Sequence, residues 1–86
     1  MTDITLLSRE IAPQTFIVIV ETLEQNYDVY RRQPASWPSL LGGTSWAADT
    51  HKTHETLRAA IIDMAERCGG APKDIAWELG EGAPQF

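Results

Sequence analysis

The chain has a single cysteine, Cys68, so no disulfide can form within it and nothing indicates an oxidising compartment. It also lacks a long hydrophobic run. The longest apolar segment, residues 16–20, is far shorter than the roughly 20 residues that a membrane-spanning helix needs. The first residues carry no basic region followed by an apolar stretch, as a secretion signal would. We therefore expect a cytoplasmic protein that does not bind membranes.

Basic residues are scarce. Seven Lys and Arg stand against 12 Asp and Glu, which gives a formal net charge of -5 and a pI of about 4.8. Only Arg31 and Arg32 are adjacent, whereas binding to a phosphate backbone needs clustered cations. Direct nucleic-acid binding is disfavoured, and an acidic surface suits a protein partner with a basic surface.

The chain is also short. Its 86 residues allow one domain, which we place at residues 1–79, with residues 80–86 as a loose C-terminal tail. A domain of this size buries a small core, so a partner or a homodimer would add useful burial.

Strand signals dominate the first half. Residues 15–22 are rich in β-branched side chains and apolar on both faces, which predicts a central strand. An apolar segment from Ile4 predicts the strand before it. Residues 23–26 predict a hairpin connection, with Asn26 in a left-handed conformation. Residues 27–32 then return as a strand.

A single helix is predicted at residues 53–68, with Thr50 or Thr53 as N-cap and glycines at 69 and 70 as the stop. Its apolar positions follow the spacing of one buried stripe. These positions are Leu57, Ala60, Ile61, Met64, Ala65 and Cys68.

Residues 74–79 alternate between apolar and mixed positions, which predicts a last strand with Trp77 in the core. The resulting fold is α+β: an antiparallel β-sheet in the order β-β-β-α-β, with one amphipathic helix packed on one face. The other sheet face is then partly uncovered.

No catalytic, nucleotide-binding or cofactor-binding motif is present. His51 and His54 are three residues apart at the predicted helix start and suggest a metal pair, but no second ligand cluster accompanies them. We favour solvated polar residues there, and we interpret Cys68 as a core residue rather than a nucleophile. We expect no enzymatic activity, cofactor or metal.

Trp37 and Trp46 lie in or beside an irregular segment, residues 33–43, that contains two prolines and ends in two glycines. A brief extended piece is predicted at residues 44–47. Aromatic side chains presented by loops are frequent binding hot spots, although both indoles would also suit a small core.

These features predict a small acidic protein-interaction module. One version is an inhibitor from a phage or mobile element, of the anti-CRISPR or other anti-defence type, that occludes a basic, nucleic-acid-binding surface. The alternative is a homodimeric accessory subunit without catalytic activity. The predicted partner-binding residues are Trp37, Trp46, Tyr30, Glu21, Glu24 and Asp28.

Overall fold

The computed structural model describes residues 3–35 and 45–86. Within these ranges the chain forms four strands followed by two helices. In chain order they are β1 (Ile4–Ala12), β2 (Thr15–Glu21), β3 (Tyr27–Pro34), β4 (Trp46–His54), α1 (Leu57–Cys68) and α2 (Pro72–Leu79). The strands make one antiparallel sheet in the order β1-β2-β3-β4. The α+β class and the antiparallel sheet are therefore confirmed.

The β2 strand lies between β1 and β3, as its two apolar faces predicted. Val18 on one face and Ile19 on the other are both buried. Tight turns join it to its neighbours. In the β2–β3 turn the left-handed residue is Gln25, with φ of 65°, and not the expected Asn26.

Both helices pack on the same face of the sheet, where they cover the hydrophobic core. Alternating side chains of β2 and β3 meet the apolar stripe of α1, and α2 closes the core beside it. The buried members of this core are Ile17, Ile19, Val29, Ala60, Ile61, Met64, Ala65, Ile75 and Ala76.

The α1 helix confirms the predicted stripe but begins later than predicted. Its N-cap is Thr56, whose hydroxyl accepts a hydrogen bond from the Ala59 amide at 3.2 Å, rather than Thr50 or Thr53. Residues 46–54 instead form β4, so residues 46 and 47 of the brief extended piece predicted at 44–47 belong to a longer strand, while residue 44 lies outside the described residues. At the other end Gly69, with φ of 73°, provides the left-handed stop.

The last strand predicted at residues 74–79 is wrong, because these residues belong to helix α2. Pro72 opens the helix and Asp74 lies in its first turn, both of which favour an N-terminus. In a helix Ile75 and Leu79 share the inner face, while Trp77 points outward and is 84% exposed. The prediction that Trp77 is a core residue is therefore also wrong, and the element order is β-β-β-β-α-α.

Residues 80–86 follow α2 without regular secondary structure. Ala83 packs against the core, and the Arg58 guanidinium donates a hydrogen bond to the Gln85 carbonyl at 2.6 Å. In the described ranges, neither helix has the length and apolar character required to cross a bilayer.

Candidate protein-binding surface

The sheet face opposite the helices, here called the open face, is the most distinctive surface of the described residues. The strand register determines which side chains point there, because alternate residues of each strand share a face. They are Thr5, Ser8 and Glu10 of β1, Phe16, Val18 and Val20 of β2, Asp28, Tyr30, Arg32 and Pro34 of β3, and Trp46, Ala48, His51 and Thr53 of β4.

An aromatic cluster occupies one end of the open face. The rings of Phe16 and Trp46 meet edge to face, with centroids 6.0 Å apart and an interplanar angle of 65°. The guanidinium carbon of Arg32 lies 4.6 Å from the centre of the Trp46 ring. Trp46 remains 38% exposed, so a large aromatic surface is held in place while still accessible.

Tyr30 occupies the centre of the open face, where β4 carries a bulge. The register with β3 shifts between Val29 and Arg31, and Thr50 adopts a φ of 52° at this point. The extra residue directs the His51 ring towards Tyr30, with centroids 5.9 Å apart. The bulge thus extends the aromatic surface across the third strand to the fourth.

Asp28 marks the opposite end of the open face and is held by two β4 side chains. The Thr53 hydroxyl donates a hydrogen bond to its carboxylate at 2.7 Å, and the Nε2 atom of His51 lies 3.0 Å from the other carboxylate oxygen. The Asp28 side chain is only 16% exposed. Its orientation is therefore fixed by the fold before any partner binds.

A shallow cleft of about 330 Å³ continues from Asp28 around the β2–β3 turn. Glu24 and Asp3 also line it, and Asp3 accepts a hydrogen bond from the Leu23 amide at 3.3 Å. Leu23 itself is 56% exposed. This end of the sheet, here called the acidic end, combines three carboxylates with one exposed apolar side chain.

The structure brings together four of the predicted partner-binding residues. Tyr30, Trp46 and Asp28 share the open face, and Glu24 lies beside it at the acidic end. Glu21 pairs with Tyr27 and points to the helix face instead. Trp37 lies outside the described residues.

Arg31 and Arg32 do not form a shared patch, because adjacent residues of a strand point to opposite faces. Arg31 makes a two-bond contact with Asp49, at 2.8 Å and 2.6 Å, on the helix face. The hydrogen bonds and charge of this pair raise the pKa of Arg31, and the bond from Arg31 lowers the pKa of Asp49. Of these two arginines, only Arg32 places its guanidinium group on the open face.

His51 and His54 also separate, because β4 is a strand here and not the start of a helix. His54 points to the helix face, where its Nε2 atom lies 2.8 Å from Asp63. Arg67 contacts the same carboxylate at 2.8 Å and donates to the Thr50 hydroxyl at 2.9 Å. The described ranges contain no group of three or more side chains suited to hold a metal ion.

The shared carboxylate of Asp63 shows how this network ties β4 to α1. Partial burial alone would raise its pKa, but the hydrogen bonds from Arg67 and His54 outweigh that effect and hold the pKa below its usual range. The Asp63 side chain is 15% exposed. These polar residues stabilise the packing of β4 against α1 and do not lie on the open face.

Cys68 packs against the core at the last turn of α1. Burial raises the pKa of its thiol, and nearby Glu78 adds to the effect while Arg9 opposes it. A thiol with a raised pKa is a weak nucleophile at neutral pH. The structure therefore supports the interpretation of Cys68 as a packing residue.

Trp77 is a second candidate that the sequence pattern hid, because a short alternation fits a strand as well as a helix. Its exposed ring borders a shallow cleft of about 300 Å³ that Pro84 and Phe86 also line. Arg58 lies over the Phe86 ring, 4.4 Å from its centre. This surface belongs to α2 and the C-terminal residues, and it shares no residue with the open face.

Comparisons with protein families, with curated proteins and with solved structures give no match to this chain.

Proposed function

We propose that this protein is a protein–protein interaction module that acts by covering a partner's surface with its open face. The observation that carries the proposal is the ordered, partly exposed aromatic cluster of Phe16 and Trp46 beside Arg32, on a sheet face that the helices do not cover. Aromatic side chains and arginine dominate the energetics of protein interfaces.

The rigidity of the open face supports this proposal. Its side chains project from paired strands and touch one another, so little side-chain freedom is lost when a partner binds. Two valines, Val18 and Val20, are 3% and 7% exposed and lie between these larger groups as an apolar floor. A central apolar region with polar groups at its rim is the usual arrangement of a binding interface.

The acidic end supports a partner with a basic surface. Glu24, Asp28 and Asp3 lie together at one end of the open face, and the whole chain carries a net charge of -5. Such a field accelerates association with a cationic surface and makes it dependent on salt. A narrower proposal, supported by this charge and the small size alone, is an anti-CRISPR or other anti-defence inhibitor that occludes a nucleic-acid-binding surface.

Single-stranded nucleic acid is the competing ligand, because exposed aromatic rings on a sheet also stack bases. It is disfavoured here because Arg31 pairs with Asp49 on the helix face, which leaves Arg32 without an adjacent cation. Retention of a labelled oligonucleotide at low salt, lost on Trp46→Ala substitution, would favour nucleic acid over a protein partner.

Capture of partners by the tagged full chain, followed by mass spectrometry, tests the proposal. We expect a protein with a basic surface that wild-type protein and Trp77→Ala retain and that Trp46→Ala loses. Trp77→Ala is the matched control, since it removes an even more exposed indole from α2. Loss of capture with Trp77→Ala alone would move the binding surface to α2 and refute the proposal.

A further inference from the structure

The central part of the open face carries a self-complementary charge pattern on a single strand. Asp28, Tyr30 and Arg32 are alternate residues of β3, so an anion, an aromatic ring and a cation follow one another on the same face. At about 3.3 Å per residue, the two charges lie roughly 7 Å on either side of Tyr30. When a second copy of this strand runs in the opposite direction, its cation lies opposite the anion of the first copy and its anion lies opposite the cation.

We infer that a second copy of this chain covers the open face, in a two-fold symmetric dimer whose axis crosses β3 at Tyr30. With this axis perpendicular to the strands, Asp28 of each copy faces Arg32 of the other, and the two Tyr30 rings meet near the axis. The contact uses the same patch on both copies, as a two-fold interface requires. Two sheets packed face to face lie about 10 Å apart with nearly aligned strands, which side chains of this length can bridge.

Neighbouring strands support the same arrangement. In the register of the sheet, Phe16 lies beside Arg32, and Val20 lies beside Asp28. The rotation that brings Asp28 over Arg32 therefore also brings Phe16 of one copy over Val20 of the other. Apolar groups meet apolar groups, while opposite charges meet on the adjoining strand.

Charge also selects this orientation over the alternative. A two-fold axis that runs along the strands would place Asp28 over Asp28 and Arg32 over Arg32, and opposed like charges destabilise an interface. A single four-stranded face is small for a permanent interface, so we expect a reversible dimer that dissociates on dilution.

The inference rests on the proposed function to the extent that both use the open face as a contact surface. It adds that the free protein protects this face by self-association and that an external partner competes with the second copy. Binding of the partner then requires the dimer to open, so a higher protein concentration lowers the apparent affinity for the partner.

Sedimentation of the full chain over a concentration series tests the dimer with two charge reversals, Asp28→Arg and Arg32→Asp. Each variant alone opposes like charges across the interface and is expected to sediment as a monomer where wild type is a dimer. When the two variants are mixed, each 28–32 contact regains opposite charges, so a heterodimer is expected. The double variant carrying both reversals should also dimerise.

Asp28 accepts a hydrogen bond from Thr53, so Asp28→Arg has to be checked for folding by circular dichroism. If Asp28→Arg does not fold, variants of the exposed Arg32 test the dimer instead. The fraction of dimer should be highest for wild type, lower for Arg32→Ala and lowest for Arg32→Glu. Wild-type protein that is monomeric at every concentration overturns the dimer, as does a dimer that Arg32→Glu does not weaken. Monomeric protein that still loses its partner on Trp46→Ala substitution refutes the dimer while leaving the proposed function intact.

Discussion

The guanidinium group of Arg32 on β3 lies against the indole of Trp46 on β4, with 4.6 Å between its central carbon and the ring centre. This contact holds two residue types that dominate binding hot spots on a surface that the helices leave uncovered. It joins the aromatic cluster to the charge pattern of β3. Neither residue belongs to the hydrophobic core of the described residues, so we expect substitutions here to separate binding from folding.

Replacement of Trp46 by Ala should leave the fold intact. Trp46 is 38% exposed and does not belong to the hydrophobic core of the described residues, so we expect its loss to lower the free energy of unfolding by about 1 kcal/mol or less. Ile61→Ala is the contrasting variant, because Ile61 is fully buried and a core truncation of this kind costs about 2–5 kcal/mol. Urea denaturation followed by circular dichroism measures both. Equal losses would show that Trp46 is a core residue.

Asp63 should make stability depend on pH in the acidic range. Its pKa is lower in the folded protein than in the unfolded chain, so its contribution is present above the unfolded pKa of about 3.9 and is lost as pH falls through the folded value. We expect Asp63→Asn to lower the free energy of unfolding by about 1–2 kcal/mol at neutral pH. The difference from wild type should shrink below about pH 3.9.

Thermal unfolding of both proteins across this pH range gives the result. Glu66→Gln is the control, because Glu66 is an exposed carboxylate on the same helix as Asp63. A wild-type advantage over Asp63→Asn that persists unchanged at low pH would contradict the role given to the Asp63 carboxylate.

The sequence predicted those helices and strands in which the apolar residues follow one clear pattern. Residues 15–22 showed a central strand because β-branched side chains filled both faces, and residues 57–68 showed one buried helical stripe. The strand predicted at residues 74–79 was wrong for a physical reason. Over six residues, Ile75, Trp77 and Leu79 fit the alternation of a strand, while Ile75, Ala76 and Leu79 fit the apolar face of a helix. The decisive signal is Pro72, because proline favours the first turn of a helix and here begins α2.

The candidate surface was predictable in part. An uncovered sheet face follows from few helices over one sheet, and Tyr30 and Asp28 share a face by simple alternation. The positions of Trp46 and His51 depended on β4, which the sequence pattern concealed because polar residues fill much of that strand. Pairing with β3 and packing against α1 stabilise β4, and neither contact produces an alternating apolar pattern in the sequence.

Thr50 should be a site of backbone strain. A β-branched residue at a φ of 52° is unfavourable, whereas Asn adopts this conformation readily. We expect Thr50→Asn to raise the free energy of unfolding by about 0.5–1 kcal/mol, since Asn also offers an oxygen to Arg67. Thr50→Val keeps the β-branch and loses that acceptor, so it should destabilise. Thermal unfolding of both variants decides, and stabilisation by Val would contradict this explanation of the bulge.

The most direct test of the open face as the contact surface is side-chain footprinting by hydroxyl radicals, with and without the captured partner, on dilute protein. Tandem mass spectrometry reports each aromatic residue separately, including Trp37. We expect the oxidation of Trp46, Tyr30 and Phe16 to fall when the partner is bound, while Trp77 remains as reactive as in the free chain. Protection of Trp77 with unchanged oxidation of Trp46 and Tyr30 would contradict the open face as the contact surface.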